Sequence, residues 1–102
     1  MKHIAILVPK GAAALSCIEG PFNMFTKINE FLEIKGKQAL FDVKLIGLSK
    51  EPEIYDKLFR VYPDAMIGEI QKTDLIIIPA VNGDREAVIE ANKEFFPWIV
   101  QR

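Results

Sequence analysis

Apolar positions along this chain follow two kinds of pattern. His3–Val8 is a continuous, partly β-branched run closed by Pro9, Lys10 and Gly11. A short run with no polar alternation predicts a strand covered on both faces, as parallel strands are. Phe41–Leu48 (FDVKLIGL) predicts a second strand, and Leu75–Pro79, introduced by Asp74, a third. Between the first two strands Ile18, Phe22, Phe25, Ile28 and Leu32 recur every three or four residues, which places them on one helix face. Lys27, Glu30 and Glu33 fall largely on the other side. Ser16 precedes this pattern, and Pro21, a residue favoured at the first helical position, predicts that the regular helix begins near it. Gly36 supplies a stop.

The segment from Ser49 to Leu58 is polar and contains Pro52. Ile54–Tyr55 and Phe59–Tyr62 predict a small antiparallel hairpin around it. Pro63-Asp64 reads as a turn and cap before a short helix over Ala65–Gln71. Ala80-Val81-Asn82-Gly83 reads as a loop, and Asp84 as the cap of a last helix. That helix turns Val88, Ala91, Phe95 and either Trp98 or Ile99 inward, with Pro97 kinking or restarting it. The spacing of Phe95, Phe96 and Trp98 is that of a core face, not of a base-stacking platform. The resulting order, β-α-β-hairpin-α-β-α, implies an α/β fold with a parallel sheet, right-handed crossovers and helices on both faces. Three long strands make a narrow sheet, and fully buried strands need neighbours on both sides. The expectation is therefore that residues 1–102 are the N-terminal half of one larger α/β domain, with no second domain among them.

Composition narrows the function classes. The 102 residues are 50% hydrophobic and 26% charged with a net charge of −1, which argues against disorder. It also gives no electrostatic reason to expect nucleic acid or an anionic membrane as a partner of this segment. Every apolar run is far shorter than the roughly 20 residues that cross a bilayer. A single cysteine, Cys17, cannot form an internal disulfide and fits a reducing, cytoplasmic setting.

In open α/β sheets ligands bind beyond the carboxyl ends of the strands. That rule selects Pro9–Ala14, Leu48–Glu51 and Pro79–Gly83, with Cys17, Glu19 and the turn at Gly20 near the first. Glycine-rich phosphate-binding signatures are missing, since Gly11 stands alone in the first β–α turn. One histidine, His3, and one cysteine make no metal-ligand cluster, so no cofactor and no metal is expected. Cys17 is open to two readings, a thiol made reactive by a helix N-terminus or a small buried residue under the helix. Glu19 either interacts with free N–H groups near Gly20 or serves as an acid or ligand contact. Asn82-Gly83 is either a turn pair or part of the site. The candidate small-molecule pocket is thus Gly11, Cys17, Glu19, Ala80, Val81, Asn82 and Gly83, with no catalytic residue assigned.

The stretches IAILVPKGAAALSCIEGPFNMF, FDVKLIGL and VYPDAMIGEIQKTDLIIIPA, in this order and spacing, resemble the N-terminal half of ThiJ/PfpI-type, class I glutamine amidotransferase-like domains. The likeness is strongest to those of AraC-family transcriptional regulators. It implies a flavodoxin-like three-layer sandwich, often dimeric, that senses a small-molecule effector, with DNA contacted only through a separate C-terminal helix-turn-helix. The alternative that it implies is a cysteine-dependent amidase, hydratase or glyoxalase-like enzyme whose nucleophile-elbow cysteine lies beyond Arg102. Two departures weigh against catalysis. Cys17 stands where enzymatic relatives often carry an aspartate ahead of Gly20-Pro21, and Ala80-Val81 stand where they commonly carry Gly-Gly, whose bare backbone permits close approach to an oxyanion.

Overall fold

In a computed structural model, which describes residues 1–55, 58–82 and 84–101, the apolar run at the N-terminus becomes the centre of the sheet. Strand β1 (Lys2–Val8) pairs in parallel with β3 (Phe41–Gly47) along its whole length, from Lys2 opposite Phe41 to Val8 opposite Gly47. Its other edge takes β7 (Leu75–Ile77), with Ile4 opposite Leu75 and Ile6 opposite Ile77. The two-residue strand β6 (Ala65–Met66) extends the far side of β3, giving the all-parallel order β6-β3-β1-β7.

Alternation along β1 sends its side chains into two cores, because successive residues of a strand point to opposite faces. Ile4, Ile6 and Val8 pack with Ile18 and Phe25 of helix α1 (Ser16–Ile34). Ala5 and Leu7 pack on the opposite face with Phe95 and Trp98 of helix α3 (Phe95–Val100). Both layers are filled, so β1 carries no polar residue between Ile4 and Val8. This is the parallel α/β sheet with helices on both faces that the order of strands and helices predicts. Among the described residues no helix is long and apolar enough to cross a membrane.

Register is held by three short polar side chains. Asp64 and Asp74 stand one residue before β6 and β7. The carboxylate of Asp74 accepts the His3 N–H at 2.7 Å while its own N–H donates to the His3 carbonyl at 2.8 Å. Asp64 makes the same exchange with Leu45, both bonds at 2.7 Å. The backbone bond from His3 keeps the Asp74 carboxyl below its usual range. Asn29 acts similarly from α1: its Oδ1 accepts the N–H groups of Leu40 and Phe41, each at 3.0 Å, and its Nδ2 donates to the Phe41 carbonyl at 2.7 Å.

Several local expectations change. Helix α1 begins at Ser16, five residues before Pro21. Its first turn is closed by the N–H groups of Cys17, Ile18 and Glu19 donating to Ala14 and Leu15, and Ile18 is anchored in the core. The short helix expected over Ala65–Gln71 is replaced by β6 and a single 3₁₀ turn, Ile67–Glu69. Pairing of Ala65 and Met66 with the end of β3 consumes its first two residues. The last helix is split into α2 (Arg85–Ala91) and α3, and the break lies at Asn92–Glu94 rather than at Pro97. Pro97 sits in the first turn of α3, where a missing N–H is tolerated. Asp84 does cap α2, accepting the Glu86 N–H at 3.2 Å. Strand β7 is an edge strand, so Leu75 is exposed instead of buried.

The expected hairpin forms from β4 (Glu53–Tyr55) and β5 (Phe59–Val61). Tyr55 is fully buried and its hydroxyl donates to the Pro9 carbonyl at 2.7 Å, which ties the hairpin over the end of β1. Burial pushes the Tyr55 phenol and the Glu53 carboxyl above their usual ranges, the latter offset in part by Lys10. At the end of β3, Gly47 leaves no room for a side chain: an added Cβ would lie 2.7 Å from Pro63 Cγ and 3.0 Å from the Ser49 carbonyl oxygen. Gly47→Ala is therefore expected to destabilise the fold by about 1–3 kcal/mol through overpacking, read as a lower urea midpoint at unchanged slope.

Candidate functional site

The carboxyl ends of β1 and β7 are joined by backbone. After β1 the chain turns through Gly11, whose φ of +92° lies in the left-handed region that glycine adopts without strain. It then forms β2 (Ala12–Ala13), which pairs antiparallel with β8 (Val81–Asn82), Ala12 opposite Asn82 and Ala13 opposite Val81. The Ala14 N–H adds a bond to the Ala80 carbonyl at 3.0 Å. The loop after the first strand and the loop after the third are thus stitched by a two-residue ladder.

A third element closes on the same place. Asn92, immediately after α2, is buried, and both ends of its side-chain amide are hydrogen-bonded. Its Oδ1 accepts the Lys10 N–H at 2.6 Å, and its Nδ2 donates to the carbonyls of Lys10 and Val88, each at 2.9 Å. Asn92 therefore fixes the first β–α turn against α2, doing for Lys10 what a neighbouring strand would do.

Beside this junction lies a cavity of about 220 Å³. Leu7 and Pro9 form its wall on the side of β1, and Ile78, Pro79 and Val81 on the side of β7. Val88, Ile89, Phe95 and Phe96 close it from α2 and α3. Among the described residues that line it, none is charged, and Asn92 is the one polar side chain. Such a surface binds by removing apolar groups from water; it offers no acid, base or nucleophile to a reacting group.

The structure brings some of the predicted site residues together and separates others. Val81 lines the cavity, and Gly11, Ala80 and the backbone of Asn82 belong to the stitched loops that flank it. Gly83 lies outside the described residues. Cys17 and Glu19 sit in the first turn of α1 and do not line the cavity. Cys17 is half-buried with a free thiol. Glu19 is exposed, accepts a hydrogen bond from Asn23 Nδ2 at 3.3 Å, and borders a separate shallow groove with Phe22, Arg60 and Tyr62. Asn92 and Ile89 escape the sequence reading, and Phe96, expected on the core face with Phe95 and Trp98, is instead exposed and lines the cavity. The available signal for Asn92 was a lone amide on the apolar face of a helix, between Val88 and Phe95.

No family profile and no curated protein sequence matches this chain. Among solved structures it is similar to a candidate transcriptional regulator protein from Vibrio parahaemolyticus, with 21% identity and a TM-score of 0.76 over 98% of this chain. It is also similar to a DJ-1 superfamily protein from Agrobacterium tumefaciens, with 12% identity and a TM-score of 0.54 over 94% of this chain. In both cases the chain spans 50% of the other protein's length. At such identities the likeness is one of fold, and by that fold the chain is a flavodoxin-like α/β sandwich.

Proposed function

We propose that this chain is the effector-sensing part of a cytoplasmic transcriptional regulator of the AraC type. In this reading a small-molecule effector binds where the first β–α turn, the loop after β7 and α2 converge. The whole protein works as a homodimer, and DNA contact belongs to a separate helix-turn-helix part. The observation that carries the reading is the cavity at the carboxyl ends of β1 and β7, the place where open α/β sheets hold ligands. The fold shared with a candidate regulator over nearly the whole chain supports it. The net charge of −1 also suits a segment that does not itself meet DNA.

A ligand that binds only the native state stabilises it, by about 2.7 kcal/mol at a hundred times its dissociation constant. Thermal unfolding of the chain across a broad metabolite panel is expected to yield at least one such stabiliser. Its effect should be lost in Ile89→Lys, which places a charge at the cavity mouth. A panel without any stabiliser, or one whose effect survives Ile89→Lys unchanged, contradicts the proposal.

A further inference from the structure

The cavity also dictates the chemistry of its occupant, an inference that rests on the proposed sensing role. A buried polar group on a ligand needs a protein partner, since an unmet one costs binding free energy. Among the described residues the one polar side chain on the wall is Asn92, whose two Nδ2 hydrogens are donated to the Lys10 and Val88 carbonyls and whose oxygen already accepts the Lys10 N–H, so it has no donor left for a ligand. No charged side chain among the described residues lines the space. A carboxylate or ammonium placed inside would lose its water and gain nothing. An apolar group would lose only unfavourable hydration, and would cover Ile78, Ile89 and Phe96, which are exposed in its absence.

Size narrows the class further. An apolar cavity of about 150 Å³ suffices for benzene, and this one measures about 220 Å³. We infer that the site takes the uncharged hydrocarbon part of a small molecule, a single aromatic ring with a short substituent or a short branched aliphatic chain, and rejects the same skeleton carrying a charge within the cavity. Asn92 thereby acts as a specificity-determining residue without touching the ligand by hydrogen bond: its amide is turned away into the first β–α turn.

The test compares matched probes on the isotopically labelled chain by amide NMR: toluene and ethylbenzene against benzoate and benzylamine. Toluene and ethylbenzene should saturably shift the amides of Val81, Val88, Ile89 and Phe96, with affinity at least ten-fold above either charged probe. Ile89→Lys should abolish these shifts with the far-UV spectrum unchanged. Ile89→Ala, which widens the mouth and adds no charge, should keep them. Tighter binding of benzoate or benzylamine at the same amides overturns the inferred ligand class and leaves the sensing proposal standing. No shift from toluene or ethylbenzene, or shifts confined to residues remote from the cavity, overturns this inference; the metabolite panel on its own decides the sensing proposal.

Discussion

Asn92→Ala is expected to destabilise the chain by about 2–4 kcal/mol, because it deletes three part-buried hydrogen bonds and takes from the Lys10 N–H and C=O the partners that hold the turn. The Lys10 N–H and C=O are held by no neighbouring strand; Asn92 is what satisfies them, at 2.6 and 2.9 Å. For a chain of this length each kilocalorie corresponds to roughly 4–8 °C in Tm, so thermal unfolding should show a loss of at least about 8 °C. Asn92→Asp separates hydrogen bonding from shape. It preserves the acceptor for Lys10 but turns the donor into a second acceptor facing the carbonyls of Lys10 and Val88. It should therefore be no more stable than the alanine variant above the carboxyl pKa, and recover in part on acidification, when a protonated carboxyl again donates. Hydrogen exchange should locate the damage: the amides of Lys10 and Gly11 lose protection before those of β3. A Tm within about 2 °C of the parent for Asn92→Ala would show that Asn92 does not hold the turn.

Trp98→Ala has the largest expected effect on the second core, about 3–5 kcal/mol, the range for truncating a large buried aromatic. Trp98 fills the space between the sheet and α3 against Leu7, Ile46 and Ala65, and its Nε1–H donates to the Ile70 carbonyl at 3.1 Å. That bond fixes the segment that carries the chain from β6 to β7. Trp98→Phe keeps most of the apolar contact and loses the donor, so its expected cost is nearer 1–2 kcal/mol, the contribution of the lost hydrogen bond to Ile70. As domains of about 100 residues are stable by only about 5–15 kcal/mol, the alanine variant should be partly unfolded at 37 °C by circular dichroism. Equal destabilisation by alanine and phenylalanine would mean that the hydrogen bond, not the packing, carries the contribution of Trp98.

What was legible in the sequence follows from what periodicity encodes. The unbroken run Ile4–Val8 implied a strand covered on both faces, and β1 is an inner strand with two cores on it. The three-to-four spacing of Ile18, Phe22 and Phe25 implied the inward face of α1, though Ile28, at the margin of that stripe, is exposed. The run Leu75–Pro79 implied a strand but not its place in the sheet, because an aliphatic run reads alike in an inner and an edge strand. Elements two residues long were not legible at all. β2, β6 and β8 exist through pairing with distant partners, such as Ala13 with Val81, and two residues carry no periodic signal.

At the site the architectural rule selected three segments, and the structure joins two of them, through Ala12–Ala14 and Ala80–Asn82, while Leu48–Glu51 does not line the cavity. The rule was blind to α2, since helix residues are not at strand ends. Asn92 and Ile89 therefore stayed hidden. The tie between the Lys10 backbone and the Asn92 side chain spans 82 positions of sequence, a distance over which only the completed fold brings the two groups together.

The most direct test of the account is a crystal structure of the chain grown with the strongest stabiliser from the metabolite panel. The account predicts ligand density between Pro9, Val81, Ile89 and Phe96, with an uncharged part inside the cavity and the hydrogen bonds of Asn92 to Lys10 intact. Density in the groove beside Glu19 and Arg60, or at the opposite end of the sheet near His3 and Asp74, would contradict it.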